Sequence, residues 1–188
     1  MASPAGLCEM CPKLASKTCT KCRSSTYCSH ACRKRGWKEH KILCPSFSSF
    51  GNAARPSPMH RRAIYFPVDE ANPRFIWLPF DRRYKKEIDD TYDSPVRGDL
   101  LGSNTGIQLI PIKNNIVLYR GLDHTITLMI REAGLCDGSA MNESVKNILG
   151  GSPCTWAGPI IAYGEKGLAM DPNESDDLDM ADFRHVID

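Results

Sequence analysis

Short apolar runs separated by polar segments dominate the C-terminal two thirds of the chain, and their length is typical of strands. Residues 63–68 (AIYFPV) and 74–80 (RFIWLPF) are the first two such runs. Each contains a proline, which lacks the N–H group that a central strand donates to its neighbour. We therefore expect edge strands, or strands that end at the proline.

A clearer alternation of apolar and polar residues spans 106–131, on both sides of Asn114 and Asn115. Asparagine tolerates the positive φ values of tight turns, so this pair predicts a two-residue hairpin turn between GIQLIPIK and IVLYRG. A polar corner at 121–124 separates the hairpin from a third run, 125–131 (TITLMIR). The pattern predicts an antiparallel meander of three strands.

Helical patterns follow towards the C-terminus. Residues 143–149 (ESVKNIL) stop at a Gly-Gly pair, and residues 180–187 place their apolar side chains on one face behind Asp179, a good N-cap residue. One further strand is predicted at 157–164. The predicted fold class is therefore α+β, with a β-rich antiparallel domain over residues 59–188 that ends in a C-terminal helix.

The segment 45–58 (PSFSSFGNAARPSP) has neither the apolar periodicity of a helix nor that of a strand. It is rich in Ser, Pro, Gly and Asn, so we predict a linker. The net charge of the chain changes sign near the end of this segment. Residues 1–62 carry a net +10 and residues 63–188 a net −8, although the whole chain is only +2. Two units with different roles are expected, and we expect the acidic tail from residue 171 onward to associate weakly with the basic head in a salt-dependent way.

Seven of the nine cysteines lie within the first 44 residues. An odd number of clustered cysteines favours a thiolate metal site over a disulfide scaffold. Together with one histidine they form four closely spaced pairs: Cys8 and Cys11, Cys19 and Cys22, Cys28 and Cys32, His40 and Cys44.

The spacing within these pairs suits tetrahedral zinc. The first two pairs are CxxC turns, and the last two are spaced i, i+4, which places both side chains on one face of a helix. Ser29 predicts the start of a short helix, and Gly36 separates it from the next. Eight ligands complete two closed shells, so we predict two structural zinc ions. Spacing alone leaves open whether the pairs combine sequentially or interleave.

With Tyr27 before the fifth ligand and Trp37 three residues before the histidine, residues 8–44 resemble the MYND zinc finger. The resemblance implies that the pairs interleave, with Cys8, Cys11, Cys28 and Cys32 on one zinc ion and Cys19, Cys22, His40 and Cys44 on the other. The segments RFIWLP, LCDGS, TWAGP and DMADFRHVID resemble short MYND proteins of filamentous fungi.

The resemblance implies a protein-interaction adaptor in gene regulation, which accepts a proline-containing peptide in a shallow groove. Trp37 matches the groove tryptophan of that family, and an exposed aromatic suits an extended proline-rich ligand. Arg33 stands where peptide-binding members carry Gln, and Thr20 replaces a Ser. The alternative for Trp37 is packing within the second zinc lobe.

A second hypothesis is direct contact with nucleic acid, because basic residues cluster on the ligand-bearing helices. They are Arg33, Lys34, Arg35, Lys38 and Lys41. The spacing of a ββα finger is absent, which makes this the weaker hypothesis.

An enzyme is not expected. Residues 59–188 are too few for the SET methyltransferase domain in which MYND fingers also occur, and the sequence has no P-loop, nucleophile elbow or HExxH helix. No run approaches the roughly 18 apolar residues of a membrane helix, so a membrane partner is not expected. The first residues contain no apolar core of a signal peptide, so we expect a soluble intracellular protein, in the nucleus or the cytoplasm.

Overall fold

The computed structural model describes residues 6–87, 89–103, 105–151, 155–168 and 171–188. The N-terminal segment contains a small antiparallel ladder of β1 (Lys17–Thr18) and β2 (Thr26–Tyr27). Two helices follow, α1 (His30–Arg35) and α2 (Trp37–Phe47). The Ser29 hydroxyl accepts a hydrogen bond from the Cys32 N–H at 3.2 Å, and Gly36 separates the helices. Both sequence predictions are confirmed.

The remaining residues form an antiparallel sheet with two helices packed on it. Seven strands pair among the described residues in the order β5-β4-β3-β8-β7-β6, and β9 pairs with β8. Their bounds are β3 (His60–Phe66), β4 (Arg74–Lys85), β5 (Asp90–Pro95), β6 (Ile107–Asn115), β7 (Arg120–Arg131), β8 (Ile160–Leu168) and β9 (Asp171–Asp176). The helices are α3 (Glu143–Ile148) and α4 (Met180–Ile187). The α+β class with a β-rich antiparallel domain and a C-terminal helix is confirmed.

Both predicted runs that contain a proline form strands inside the sheet. β3 ends directly before Pro67, as one of the two predictions allowed. β4 instead continues through Pro79, which is the last residue that pairs with β3, and from Phe80 onward the strand pairs with β5. The Phe80 N–H donates to the Met59 carbonyl at 2.8 Å, so the backbone nitrogen of Pro79 faces away from β3 and its missing N–H costs that ladder no bond. Its carbonyl accepts from the Val96 N–H at 2.8 Å.

The predicted hairpin has a different turn. Asn114 and Asn115 pair with Gly121 and Arg120, so they are strand residues and the turn is formed by residues 116–119. The Asn115 side chain is buried, accepts from the Leu118 N–H at 2.8 Å and donates to Asp188 at 2.9 Å. This contact joins the end of β6 to the residue that follows α4.

The predicted break at 121–124 is also wrong, since β7 runs through it and pairs with both β6 and β8. Residues 106–131 are therefore two strands rather than three. The polar corner is compatible with a strand because positions 121 and 123 are both exposed, and alternate positions of a strand share a face.

The segment 45–58 was expected to be irregular, but its first residues continue α2 as far as Phe47, and two short 3₁₀ turns follow. The rings of Phe47 and Phe50 lie 5.2 and 5.8 Å from the ring of Phe75 on β4. Aromatic burial therefore orders a segment whose composition is typical of a linker. The domain boundaries at residues 44 and 58 stay a prediction.

The N-terminal segment and the sheet share one apolar core. Cys22, Leu43 and Cys44 pack in the same cluster as Ile64 and Phe183. Leu43 is 1% exposed and Phe183 2%. The acidic tail thus associates with the head through buried apolar contacts of α4 as well as through charge, since Asp177 pairs with Arg55 and Arg62.

The C-terminal helix begins as predicted. The Asp179 carboxylate accepts from the Ala181 N–H at 2.7 Å, and the Asp182 carboxylate accepts from the Asp179 N–H at 2.7 Å, which completes a reciprocal cap. Across the described residues, the structure contains no helix with the length and apolar character needed to span a membrane.

Candidate metal centres and the groove beside them

The eight predicted ligands form two groups of four. Within each group the potential ligand atoms all lie within 4.8 Å of one another. The first cluster consists of Cys8, Cys11, Cys28 and Cys32, and the second cluster of Cys19, Cys22, His40 and Cys44. The pairs interleave, as the resemblance implied, because the β1–β2 ladder brings each CxxC turn towards the pair two places later in the chain.

The distances fit zinc. Sulfurs placed tetrahedrally at about 2.3 Å from a zinc ion lie about 3.8 Å apart. The Cys11 sulfur lies 3.5 Å from that of Cys28 and 3.9 Å from that of Cys32, and the Cys19 and Cys44 sulfurs are 3.8 Å apart. Two zinc ions are therefore held, one by each cluster, and both shells are closed.

Thiolates this close need a cation. Hydrogen bonding to the backbone at Lys13 lowers the pKa of the Cys11 thiol to about 7, and the adjacent Cys11 sulfur in turn raises the pKa of the Cys28 thiol to about 12. Burial is the main reason that the pKa of Cys44 rises to about 12. A zinc dication removes this mutual repulsion, so the donor set matches the metal.

His40 is oriented by a residue that sequence reasoning missed. The Ser25 hydroxyl lies 2.9 Å from His40 Nδ1, and both side chains are buried. His40 Nε2 is 4.0 Å from the Cys22 sulfur and faces the other ligands. Since a metal-bound histidine donates from its second ring nitrogen, Nδ1–H donates to Ser25 and leaves Nε2 for zinc.

The first cluster is tied to the sheet by another residue that sequence reasoning missed. The Arg120 guanidinium, from the start of β7, donates to the carbonyls of Cys8 and Cys11 at 2.9 and 3.0 Å. Arg35 donates to the carbonyl of Met10 in the same turn. No sequence pattern links Arg120 to a turn more than 100 residues earlier.

The three predicted partner-binding residues line one groove. Thr20, Arg33 and Trp37 border a cavity of about 410 Å³ that also reaches the ligands Cys19, His40 and Cys44. Trp37 is 52% exposed, and its ring lies 5.7 Å from the His40 ring at 33°. One face of the indole therefore covers the second cluster while the other is open to solvent.

The predicted basic residues are exposed. Arg33, Lys34, Arg35, Lys38 and Lys41 all have exposed side chains on α1 and α2. Of these, Arg33 and Lys34 line the groove.

Comparison with known proteins agrees with this geometry. Residues 8–44 match the sequence profile of the MYND finger family, so this segment is a MYND-type zinc finger. The chain is 39% identical over 67 residues to ubiquitin carboxyl-terminal hydrolase 19 of Arabidopsis thaliana, which covers 35% of this chain and 9% of the relative. It is 38% identical over 53 residues to N-lysine methyltransferase SMYD2-B of Danio rerio, 27% of this chain and 12% of the relative.

A third relative, Tudor domain-containing protein 1 of Homo sapiens, is 37% identical over 49 residues, 24% of this chain and 4% of the relative. The chain thus matches only a small part of each of these proteins. No solved structure matches the chain significantly. The finger is a zinc-binding protein-interaction module.

Proposed function

We propose that this MYND-type zinc finger protein is a non-catalytic adaptor that binds a proline-containing segment of another protein in the groove beside Trp37. The half-exposed indole carries this proposal. Trp37 begins α2 three residues before the ligand His40, so the metal site fixes its position. A rigid aromatic beside exposed backbone is a favourable surface for an extended proline-rich chain, because such a chain loses little conformational entropy on binding.

The absence of catalysis is supported by the donor sets. Each cluster uses four protein ligands, so neither zinc ion has an open position for water or substrate. The similar segment occurs in relatives that are named for different activities, a ubiquitin carboxyl-terminal hydrolase and a lysine methyltransferase. A module that is joined to unrelated activities is expected to select partners rather than to perform chemistry.

The adaptor is tested by Trp37→Ala together with Tyr119→Ala, a control that removes an aromatic ring that is 97% exposed and outside the groove. We expect Trp37→Ala to keep two zinc ions and to lose binding to an array of proline-containing peptides, while Tyr119→Ala retains both. If Trp37→Ala binds the same peptides as the wild type, the partner surface lies elsewhere. Loss of zinc in Trp37→Ala would indicate that the indole is a packing residue.

We also propose that the adaptor acts in gene regulation, in the nucleus or the cytoplasm, as the family resemblance implies. A fusion to a heterologous DNA-binding domain is expected to change transcription of a reporter, and the Trp37→Ala fusion is expected not to. Equal reporter output from both fusions would count against this role. Fluorescence microscopy of the tagged full chain determines the compartment.

Direct nucleic-acid binding is the second candidate, favoured by the exposed basic side chains on α1 and α2. It predicts affinity for a random-sequence duplex that falls steeply as salt rises, since released counterions drive such binding. Binding of the duplex by Trp37→Ala at wild-type affinity would favour this candidate over the peptide groove.

A further inference from the structure

The groove beside Trp37 has a neighbouring cavity at the second metal cluster. A second cavity, of about 420 Å³, is bordered by residues of the same CxxC turn and by Phe47 and Arg62. Thr20 and Lys21 line both cavities. The two cavities therefore share a wall at this turn, and together we call them the extended groove, with Trp37 in one cavity and Phe47 in the other.

The charges along this extended groove have one sign. Its lining includes four exposed cationic side chains, and none of the described residues that border either cavity is acidic. Two of the four, Arg33 and Lys34, belong to α1. The full set is Lys21, Arg23, Arg33 and Lys34.

These four cations lack internal partners. Within the described residues none of them forms an ion pair or a side-chain hydrogen bond, whereas Arg62 donates to the carbonyls of Leu178 and Phe50 at 3.0 and 2.9 Å. The two acidic residues of the finger, Glu9 and Glu39, instead line a small cavity with Met180 and Phe183 of α4. The acids of the finger thus face the sheet domain, and the cations face the groove.

Two acidic residues of the sheet domain, Asp176 and Asp177, are engaged elsewhere. Asp177 lies between Arg55 and Arg62, with a distance of 3.7 Å to the latter, and Asp176 pairs with Lys166 at 2.9 Å. These carboxylates are therefore unable to neutralise the groove without breaking their own pairs. The four cations of the groove are therefore available to an acidic ligand from outside the chain.

We infer that the extended groove selects an acidic peptide, in which carboxylates flank the apolar or proline anchor that contacts Trp37. This inference rests on the proposed peptide-binding function and adds the chemistry of the ligand. Carboxylates along the peptide pair with Lys21, Arg23, Arg33 and Lys34, while the anchor lies on the indole. Complementary charge raises the rate of encounter and suppresses basic or neutral competitors.

A peptide fits these features better than a nucleic acid. Proteins that bind single strands usually offer several exposed aromatic rings on which successive bases stack. Here Trp37 is exposed, but Tyr27 is 1% exposed and Phe47 packs against Phe75. One exposed ring beside cations provides a single anchor with flanking charge.

The test uses an array of short proline-containing peptides in matched triplets, identical except that the flanking residues are Glu, Gln or Lys. Binding of the full zinc-loaded chain is measured by fluorescence anisotropy at low and high salt, for the wild type, Arg33→Gln, Lys21→Gln and Lys13→Gln. Lys13 is an exposed control in the finger that lines neither cavity. Zinc content is measured for each variant, and a random duplex is included.

We expect Glu-flanked peptides to bind more tightly than Gln-flanked ones and Lys-flanked peptides to bind weakest. Each groove substitution is expected to weaken the Glu-flanked peptide by about two- to five-fold, as for an exposed ion pair, and Lys13→Gln is expected to have no effect. High salt is expected to remove the preference.

Other outcomes overturn the inference in distinguishable ways. Equal binding of all three flanks would reject the acidic ligand and leave the proposed peptide adaptor intact. Binding of none of the peptides would reject both. Tighter binding of the duplex than of any Glu-flanked peptide, with the same loss in Arg33→Gln, would assign the groove to nucleic acid.

Discussion

The two metal clusters belong to one short finger but lie in different surroundings. The first cluster packs with Met10 and Tyr27 in a small apolar group of its own. The second cluster contributes Cys22 and Cys44 to the core that the finger shares with the sheet. The same ligand chemistry therefore stabilises a small apolar group of its own at the first cluster. At the second cluster it stabilises part of the core that the finger shares with the sheet.

This contrast shows that the two clusters attach the zinc finger to the sheet domain through different kinds of contact. Helix α2 carries His40 and Cys44 of the second cluster, and Leu43 beside Cys44 packs in the same core of the sheet. The first cluster reaches the sheet through Arg120, whose contacts are to backbone carbonyls. Apolar burial joins one cluster to the body, and hydrogen bonds join the other. The two clusters should respond differently when these contacts are removed.

The largest expected effect comes from removing one cluster at a time. Each double variant, Cys8→Ala with Cys11→Ala and Cys19→Ala with Cys22→Ala, should lose one of two zinc ions and a local binding free energy of about 10 to 16 kcal/mol. Only loss of the second cluster should also lower the melting temperature of the sheet, because its ligands belong to the shared core. Elemental analysis and thermal denaturation followed by circular dichroism measure both effects. Equal melting temperatures of the sheet in the two variants would refute the proposed difference between the clusters.

Leu43→Ala should reduce the free energy of unfolding by about 2 to 5 kcal/mol, the usual result of a cavity at a buried leucine. Because Leu43 lies in the shared core, the finger and the sheet should melt in one transition in the variant as in the wild type. Leu14→Ala, at a side chain that is 69% exposed, is the control and should change stability by less than about 0.5 kcal/mol. Two separate transitions in urea would show that the regions fold independently.

Arg120→Ala should cost about 1 to 3 kcal/mol, since it leaves two carbonyls of the first metal turn without their donor. We expect the first zinc ion to be extracted by a chelator faster than in the wild type, and the second at an unchanged rate. Arg83→Ala, at an exposed arginine of β4, is the matched control. Acceleration of both zinc ions would mean that Arg120 supports the whole finger rather than one cluster.

The smallest effect concerns the contact between β7 and α4. His124 Nε2 lies 3.2 Å from an Asp182 oxygen, and this carboxylate raises the pKa of His124 to about 9, with smaller contributions from Asp123 and Asp176. A raised pKa in the folded state stabilises the protein fully below the ordinary value of 6.5, and this stabilisation is lost as pH rises through about 9.

Urea denaturation at a series of pH values should therefore show stability falling between about pH 6.5 and 9 in the wild type. In His124→Gln that part of the pH dependence should be absent, while the acid side of the profile is retained. A wild-type profile that is flat over this range would show that the pair contributes no stability.

Local sequence patterns were sufficient to predict the metal ligands and the ends of several helices. The four ligand pairs have short internal spacings, and Ser29, Gly36 and Asp179 act within one turn of their own helix, so neighbouring residues decide these features. The same holds for the α+β class, because strand length and helical period are local properties of the chain.

Only the tertiary structure decided the features that depend on distant partners. Asn115 at the end of β6 donates to the residue that follows α4, residues 45–58 are ordered because Phe47 and Phe50 find Phe75, and Arg120 reaches a turn more than 100 residues away. The extended groove and its single sign of charge also arise from folding, since α1, a CxxC turn and Phe47 border it together. Contacts between residues far apart in sequence depend on the packing of the whole chain, and no local pattern encodes them.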